Sequence, residues 1–254
     1  MDYETLRVSF DRGVCRVRLD RPAAQNAIDG RMIIELDDVL SRCEGDGMTT
    51  PVAILVLEGT PSVFCSGGDF QALAASSEVA DPEPLYRLWQ RMAAGPFVSI
   101  SVVRGRVNAG GMGFVAAADI VLADRSAAFS LSELLFGIFP ACVLPFLVRR
   151  IGLQKAHYLT LMTRPFTVDE ALACGLVDAL DDDAEALLRR HLLRLQKLSQ
   201  PAIARYKSYL GNLAGQLEVL KPAALEANRM LFADPEVQLN IRRYVEESKF
   251  PWEI

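Results

Sequence analysis

Two junctions between a strand and a glycine turn constrain the fold of this chain more than any other feature. They are Val63-Phe64-Cys65-Ser66-Gly67-Gly68-Asp69-Phe70 and Asn108-Ala109-Gly110-Gly111-Met112-Gly113-Phe114, and each leads into a helical pattern. A glycine turn lets backbone approach a ligand with no Cβ in the way. A helix that starts there aims unpaired N–H groups and its positive end at a developing anion, which is half of an oxyanion hole. Behind the second turn, Met112, Phe114, Val115 and the run Ala116 to Ala118 leave no polar face before Asp119, so this helix is expected to be buried. A lone carboxylate, Glu133, follows in apolar company.

The segments around these junctions read as strands and helices in alternation. Leu6 to Phe10 and Val14 to Leu19 alternate apolar and polar residues about Asp11-Arg12-Gly13, the pattern of a hairpin. Pro22 makes 20–27 a loop. From Asp29, Met32, Ile33, Leu36, Val39 and Leu40 recur at helical spacing until the glycines at 45 and 47. Val52 to Leu57 is a continuous apolar run, as in a strand covered on both faces. Ser76 to Pro84 reads as a loop, Leu85 to Met92 as a helix, and Pro96 to Val103, Ile120 to Ala123 and Ala127 to Leu131 as strands. Strand and helix in alternation imply parallel strands with crossover helices. After Pro140 the pattern is helical, over 144–151, 155–161, 168–174, 184–198, 201–217, 223–232 and 236–247, with Gly152, Pro165, Gly175 and Pro222 as separators. The reading is an α/β core over residues 1–195 and a helical carboxy-terminal region over 196–254.

Charge and cysteine usage narrow the function classes. A net charge of −5 argues against nucleic-acid binding as the main role. The amino terminus carries acids and no apolar h-region, and no run is long enough for a bilayer span, so the chain is expected to be cytoplasmic and off the membrane. Cys15, Cys43, Cys65, Cys142 and Cys174 are scattered without CxxC spacing, the pattern of reduced, buried small hydrophobes and not of a metal site.

Five segments in order, Arg21-Pro22 with Asn26-Ala27, FCSGGDF, NAGGMGF with Asp119-Ile120, FSLSELLFGIFP, and Thr167 to Gly175, resemble the crotonase (enoyl-CoA hydratase/isomerase) superfamily. The resemblance spans essentially the whole chain. It implies a spiral ββα core, a helical carboxy-terminal trimerisation region, and assembly as a homotrimer or hexamer. It also implies an acyl thioester carried on a phosphopantetheine or CoA arm, with no separate cofactor. By motif, Gly68 and Gly110 would supply the two N–H donors for the thioester oxygen. Hydratases of the family use two glutamates; one position is Glu133, and the other is Gly113 here, so Glu133 would act alone as acid and base. Asp69, Tyr86, Ser66, Asn108 and Cys142 are expected to line the substrate, and Arg21 and Ala27 to hold its arm. Asp69 also fits a helix cap, Tyr86 and Trp89 fit core or pocket wall, and His191 fits a structural role.

Within the superfamily, Pro82 to Tyr86 with Trp89, Pro140-Ala141-Cys142-Val143-Leu144-Pro145-Phe146-Leu147 and RRIGLQKAHYLTLMT resemble the dehydratases of polyketide β-branching. That branch implies dehydration of 3-hydroxy-3-methylglutaryl-acyl carrier protein, beside an HMG-synthase-like enzyme and a decarboxylase. The substrate's free carboxylate then needs a cation, with Arg149, Arg150, Lys155, Arg104, Arg106 and His157 as candidates. Three alternatives stay open. They are an acyl-CoA hydratase/isomerase of primary metabolism, the decarboxylating crotonase homologue of the same cassette (a branch without a Glu133 equivalent), and an idle scaffold or RNA binder.

Overall fold

The computed structural model describes residues 3–45, 51–75 and 80–253. The chain starts with an antiparallel hairpin, β1 (Leu6–Asp11) and β2 (Val14–Leu19). Its turn uses Arg12 and Gly13, both at positive φ (47° and 77°), the conformation that matches the twist of the flanking strands. Helix α1 (Gly30–Glu44) is capped by Asp29, whose side chain accepts from the Met32 N–H at 2.8 Å, and turns Met32, Leu36, Val39, Leu40 and Cys43 inward.

From there the chain winds as a spiral in which each circuit adds a strand to two sheets. The circuits contribute β3 (Ile54–Glu58) and β4 (Val63–Cys65), then β5 (Val98–Val103) and β6 (Arg106–Asn108), then β7 (Ile120–Ala123) and β8 (Ala128–Ser130). Between strands lie α2 (Phe70–Ala75), α3 (Glu83–Ala94) and α4 (Gly111–Ala117). After α5 (Leu144–Ile151) and α6 (Leu153–Met162) come β9 (Phe166–Thr167), α7 (Val168–Ala173) and β10 (Ala179–Leu180). The large sheet has the order β1-β2-β3-β5-β7-β10 and is parallel outside the hairpin; the small sheet has the order β4-β6-β8-β9 and is parallel except for β8 with β9. This is the crotonase-like spiral expected from the motifs. Every residue of β3 is buried, as its continuous apolar run requires.

The chain closes with α8 (Ala184–Leu195), α9 (Gln200–Ala214), α10 (Gln216–Ala233) and α11 (Pro235–Glu247). Two expectations from the sequence need correction here. The break between α9 and α10 falls at Gly215, and Pro222 lies inside α10. Proline costs that helix the bond its N–H would give to the Glu218 carbonyl. Packing outweighs that loss: Ala224 and Leu225 are buried in the main core, and the Tyr86 hydroxyl donates to the Leu217 carbonyl at 2.8 Å. Strands β6, β9 and β10 also escaped the periodicity reading, being only two or three residues long. Ser76–Val79, in the segment read as a loop over 76–84, and Gly47, read as part of the stop of the first helix, lie outside the described residues. No described helix is long and apolar enough to cross a membrane.

Helix α9 is pinned by one buried cation. Lys207 Nζ donates to the carbonyls of Met92 (3.2 Å) and Phe97 (2.9 Å) and pairs with Asp119 at 2.6 Å. Asp119 Oδ2 also accepts from the Ser99 N–H and hydroxyl at the head of β5. Burial lowers the Lys207 pKa, and Asp119 opposes that shift. Replacing Lys207 with Met leaves Asp119 without its ion-pair partner, so urea unfolding of Lys207→Met should show a loss of about 3 kcal/mol. The double variant with Asp119→Asn should recover part of that loss.

Candidate active site

The two glycine turns pack directly on each other. Gly67 has φ +98°, and a Cβ there would stand 2.8 Å from the Ala109 Cβ and 3.1 Å from the Asn108 carbonyl oxygen. A Cβ on Gly110 would lie 3.7 Å from the Gly68 amide nitrogen, which places these two backbone positions side by side. Neither N–H has an acceptor among the described residues. Gly68 is exposed and Gly110 half-buried, so both donors are reachable from solvent. Helix α4 behind Gly110 has only seven residues, and all are buried. Its dipole is correspondingly small, and the two N–H groups themselves are the electrophilic feature.

Adjacent loops hold this pair in register. Ile28 bridges to Gly68, donating its N–H to Gly67 and accepting from Asp69. Asn26, at φ 54° and fully buried, accepts from the Arg21 N–H and donates to the carbonyls of Val63 and Phe64, which fixes the preceding loop on β4. The sequence marks Asn26 as part of a motif, but this bracing role needs partners 37 and 38 residues away. Arg21 pairs with Asp29 (3.0 Å) and Asp69 (3.3 Å) and donates to the Ala27 carbonyl. Asp69 caps α2, accepting from the Ala72 N–H at 3.0 Å. Ser66 donates its backbone N–H to the Gln25 carbonyl.

Glu133 follows the strand that lies next to the second turn. Strand β8 pairs with β6, Asn108 opposite Ser130, and the Ala109 N–H donates to the Ser130 carbonyl. The Asn108 carboxamide oxygen accepts from the hydroxyls of Ser130 (2.8 Å) and Ser132 (3.1 Å), tying the residue before Glu133 to the residue before the turn. Glu133 opens a short 3-10 helix over Glu133–Phe136 and is 7% exposed; its Oε2 has no partner among the described residues. Burial pushes its pKa up to about 7, opposed by its own backbone N–H. A carboxyl poised near neutrality can both take and return a proton.

No second carboxylate has room where the family's other glutamate falls. A Cβ on Gly113 would meet Trp89 Cε2 and Cζ2 at 2.3 Å, so the indole fills that space. The structure also relocates several candidates. The Tyr86 hydroxyl is held by the Leu217 carbonyl, and the Cys142 thiol lies 3.6 Å from the Ala224 carbonyl, so the polar atoms expected to meet substrate anchor α10 instead. Burial raises both of their pKa values, that of Cys142 to about 12. Arg149 and Arg150 donate to the carbonyls of Ala117 and Ala118, at the end of α4 away from Gly110, about 10 Å along its axis. Arg104 pairs with Glu58, Lys155 and His157 are exposed on α6, and Arg106 reaches Gln25 beside Ser66. His191 meets the Leu187 carbonyl within α8.

Sequence reasoning missed the brace across the site. Phe136, three residues after Glu133, packs edge-on against Phe70 of α2 at 5.5 Å and against Tyr244 of α11 at 5.0 Å. Thus α11 grips both the helix that follows Gly68 and the turn that carries Glu133. Nothing in the local pattern of 236–247 signals this.

Residues 9–254 match the enoyl-CoA hydratase/isomerase family model. The bacillaene synthase dehydratase PksH of Bacillus subtilis (strain 168) is 51% identical over 99% of this chain and 97% of its own. The 2,3-dehydroadipyl-CoA hydratase of Escherichia coli (strain K12) is 29% identical over 89% and 88% of the two chains. A crystal structure of the polyketide-biosynthesis enoyl-CoA hydratase pksH from Bacillus subtilis superposes with a TM-score of 0.95 at 50% identity, covering 98% of this chain and 100% of that one. With paired amides at Gly68 and Gly110 on a spiral core and a family match over nearly its whole length, this chain belongs to the enoyl-CoA hydratase/isomerase family.

Proposed function

We propose that this protein is a hydro-lyase of polyketide biosynthesis that dehydrates 3-hydroxy-3-methylglutaryl-acyl carrier protein to the 3-methylglutaconyl thioester. One observation carries the mechanism: Glu133 is a buried carboxyl with a free oxygen, on a segment tied through Ser132 and Asn108 to the turn that carries Gly110, and the space for a second carboxylate is occupied by Trp89. The thioester oxygen binds between the N–H groups of Gly68 and Gly110. Ionised Glu133 takes the C2 proton, and the two donors hold the enolate. The electron pair then forms the C2–C3 double bond, the C3–O bond breaks, and protonated Glu133 returns its proton so that water leaves. No separate cofactor enters these steps.

The likeness to a protein named bacillaene synthase dehydratase supports the pathway. Its natural partners are then an acyl carrier protein, an HMG-synthase-like enzyme and a decarboxylase. A homotrimer or hexamer accords with the exposed apolar side chains of Leu153, Tyr158 and Leu161 on α6 and of Tyr206, Tyr209 and Leu213 on α9. Likeness to the 2,3-dehydroadipyl-CoA hydratase favours a second reading, an acyl-CoA hydratase of primary metabolism. Assays on crotonyl-CoA and on the 3-hydroxy-3-methylglutaryl carrier protein separate the two. Preference for the carrier-bound substrate, and a fall of about 10² to 10⁴ in Glu133→Gln, are the expected outcomes. Preference for crotonyl-CoA selects the second reading, and a fully active Glu133→Gln contradicts the mechanism.

The raised pKa gives two pH signatures. As a base Glu133 must be ionised, so the dehydration rate should climb as pH rises through about 7. Its folded pKa lies above the unfolded value, so the stability it contributes is complete below pH 4.5 and lost as pH rises through about 7. Glu133→Gln should therefore match the parent in acid and exceed it above pH 7 by up to about 3 kcal/mol, read by chemical denaturation at several pH values.

A further inference from the structure

Three buried side-chain polar atoms among the described residues have no hydrogen-bond partner: Trp89 Nε1, Glu133 Oε2 and Arg104 Nε. Arg104 is paired through Nη2 with Glu58. The other two belong to segments joined to α4 or to the turn that opens it. Glu133 is tied to its glycine turn through Ser132 and Asn108, and Trp89 lies against Gly113, one turn beyond Gly110 on the same helix face. Nε1 is bonded to Cε2, one of the two indole carbons that a Cβ at 113 would meet at 2.3 Å. The ring is 1% exposed and wedged edge-on between Phe114 and Phe146, at centroid separations of 5.9 and 5.8 Å, so the donor is fixed in place.

We propose that the Trp89 indole N–H donates a hydrogen bond to the 3-hydroxyl oxygen of the substrate, from the place where a second carboxylate would otherwise stand. This rests on the dehydratase reading. A hydroxyl satisfies both unpartnered atoms at once: its O–H donates to the Glu133 carboxylate and its oxygen accepts from Trp89. Indole is a donor only and transfers no proton. Trp89 steadies the oxygen while the C3–O bond breaks and the proton arrives from Glu133, and the oxygen departs as water. A thioester without the 3-hydroxyl gives Trp89 no acceptor.

The test separates proton abstraction at C2 from loss of the C3 oxygen. Trp89→Phe keeps an aromatic ring beside Gly113 and removes the donor. On 3-hydroxy-3-methylglutaryl-pantetheine it should eliminate water about tenfold more slowly than the parent, the worth of one hydrogen bond. On 3-methylglutaryl-pantetheine, which lacks the hydroxyl, exchange of the C2 hydrogens with D2O should equal the parent's, because that step uses only Glu133 and the two amides. Equal losses in both assays would mean a purely structural ring and overturn the proposal, as would unchanged elimination. If the parent itself shows neither reaction, the dehydratase reading fails and takes this proposal with it. A second readout covers poor folding of Trp89→Phe. The chain has two tryptophans, so Trp252→Phe assigns the Trp89 indole N–H resonance. In Glu133→Gln that resonance should shift with the hydroxy thioester and stay in place with the deoxy thioester; the same response to both contradicts the assignment.

Discussion

The contact between the Gly67-Gly68 turn and the Ala109-Gly110 turn is the constraint on which the rest of this structure depends. The turns follow adjacent strands of the small sheet, β4 and β6, whose register sets Cys65 opposite Val107. Each turn alone is a common device at the start of a helix. Together they place two N–H groups of distant sequence origin side by side on one patch of backbone, and at Gly67 the packing excludes a side chain. A Cβ at Gly67 would collide with the Ala109 Cβ at 2.8 Å, and Ala109 itself sits at φ +49° to make the turn. A site of this kind costs little reorganisation when charge develops, since the backbone already stands where it is needed.

In the proposed mechanism Glu133 makes that patch an acid–base site, with a carboxyl oxygen that has no partner among the described residues. A surface carboxylate ionises fully at neutral pH and makes a weak base, whereas this one is held near pH 7 by burial. The short helix that Glu133 opens is packed from far away in the chain: Phe136, Ile138, Val237 and Ile241 form their own apolar cluster, with Phe70 and Phe250 packed on it. The carboxy-terminal helix α11 therefore braces the segment that carries a residue more than a hundred positions earlier. Destabilising α11 should disturb the chemistry before the large sheet, whose core is separate.

What the sequence made legible was whatever is written locally. The β1–β2 hairpin, the buried strand at Val52 to Leu57 and the helix Leu144–Ile151 follow from apolar spacing and turn residues within a few positions. Strand β6 was invisible because Arg106–Asn108 is a strand only through its neighbours β4 and β8. Pro222 misled because its local preference is outweighed by the burial of Ala224 and Leu225. Among site residues, the glycine pair and Glu133 were readable as motifs. Tyr86 and Cys142 were not, because their surroundings depend on α10, more than eighty residues further along. The empty place at Gly113 was legible, but the indole that fills it was not, since the two residues meet only when α3 packs on α4.

In the proposed mechanism Gly68 and Gly110 polarise a thioester carbonyl. Infrared difference spectroscopy of a carbonyl-labelled 3-hydroxy-3-methylglutaryl thioester bound to Glu133→Gln, in which turnover is slowed, reads that polarisation directly. Two donors on one oxygen should lower the carbonyl stretching frequency below its value in water. A bound carbonyl that absorbs at or above its frequency in water would contradict the account.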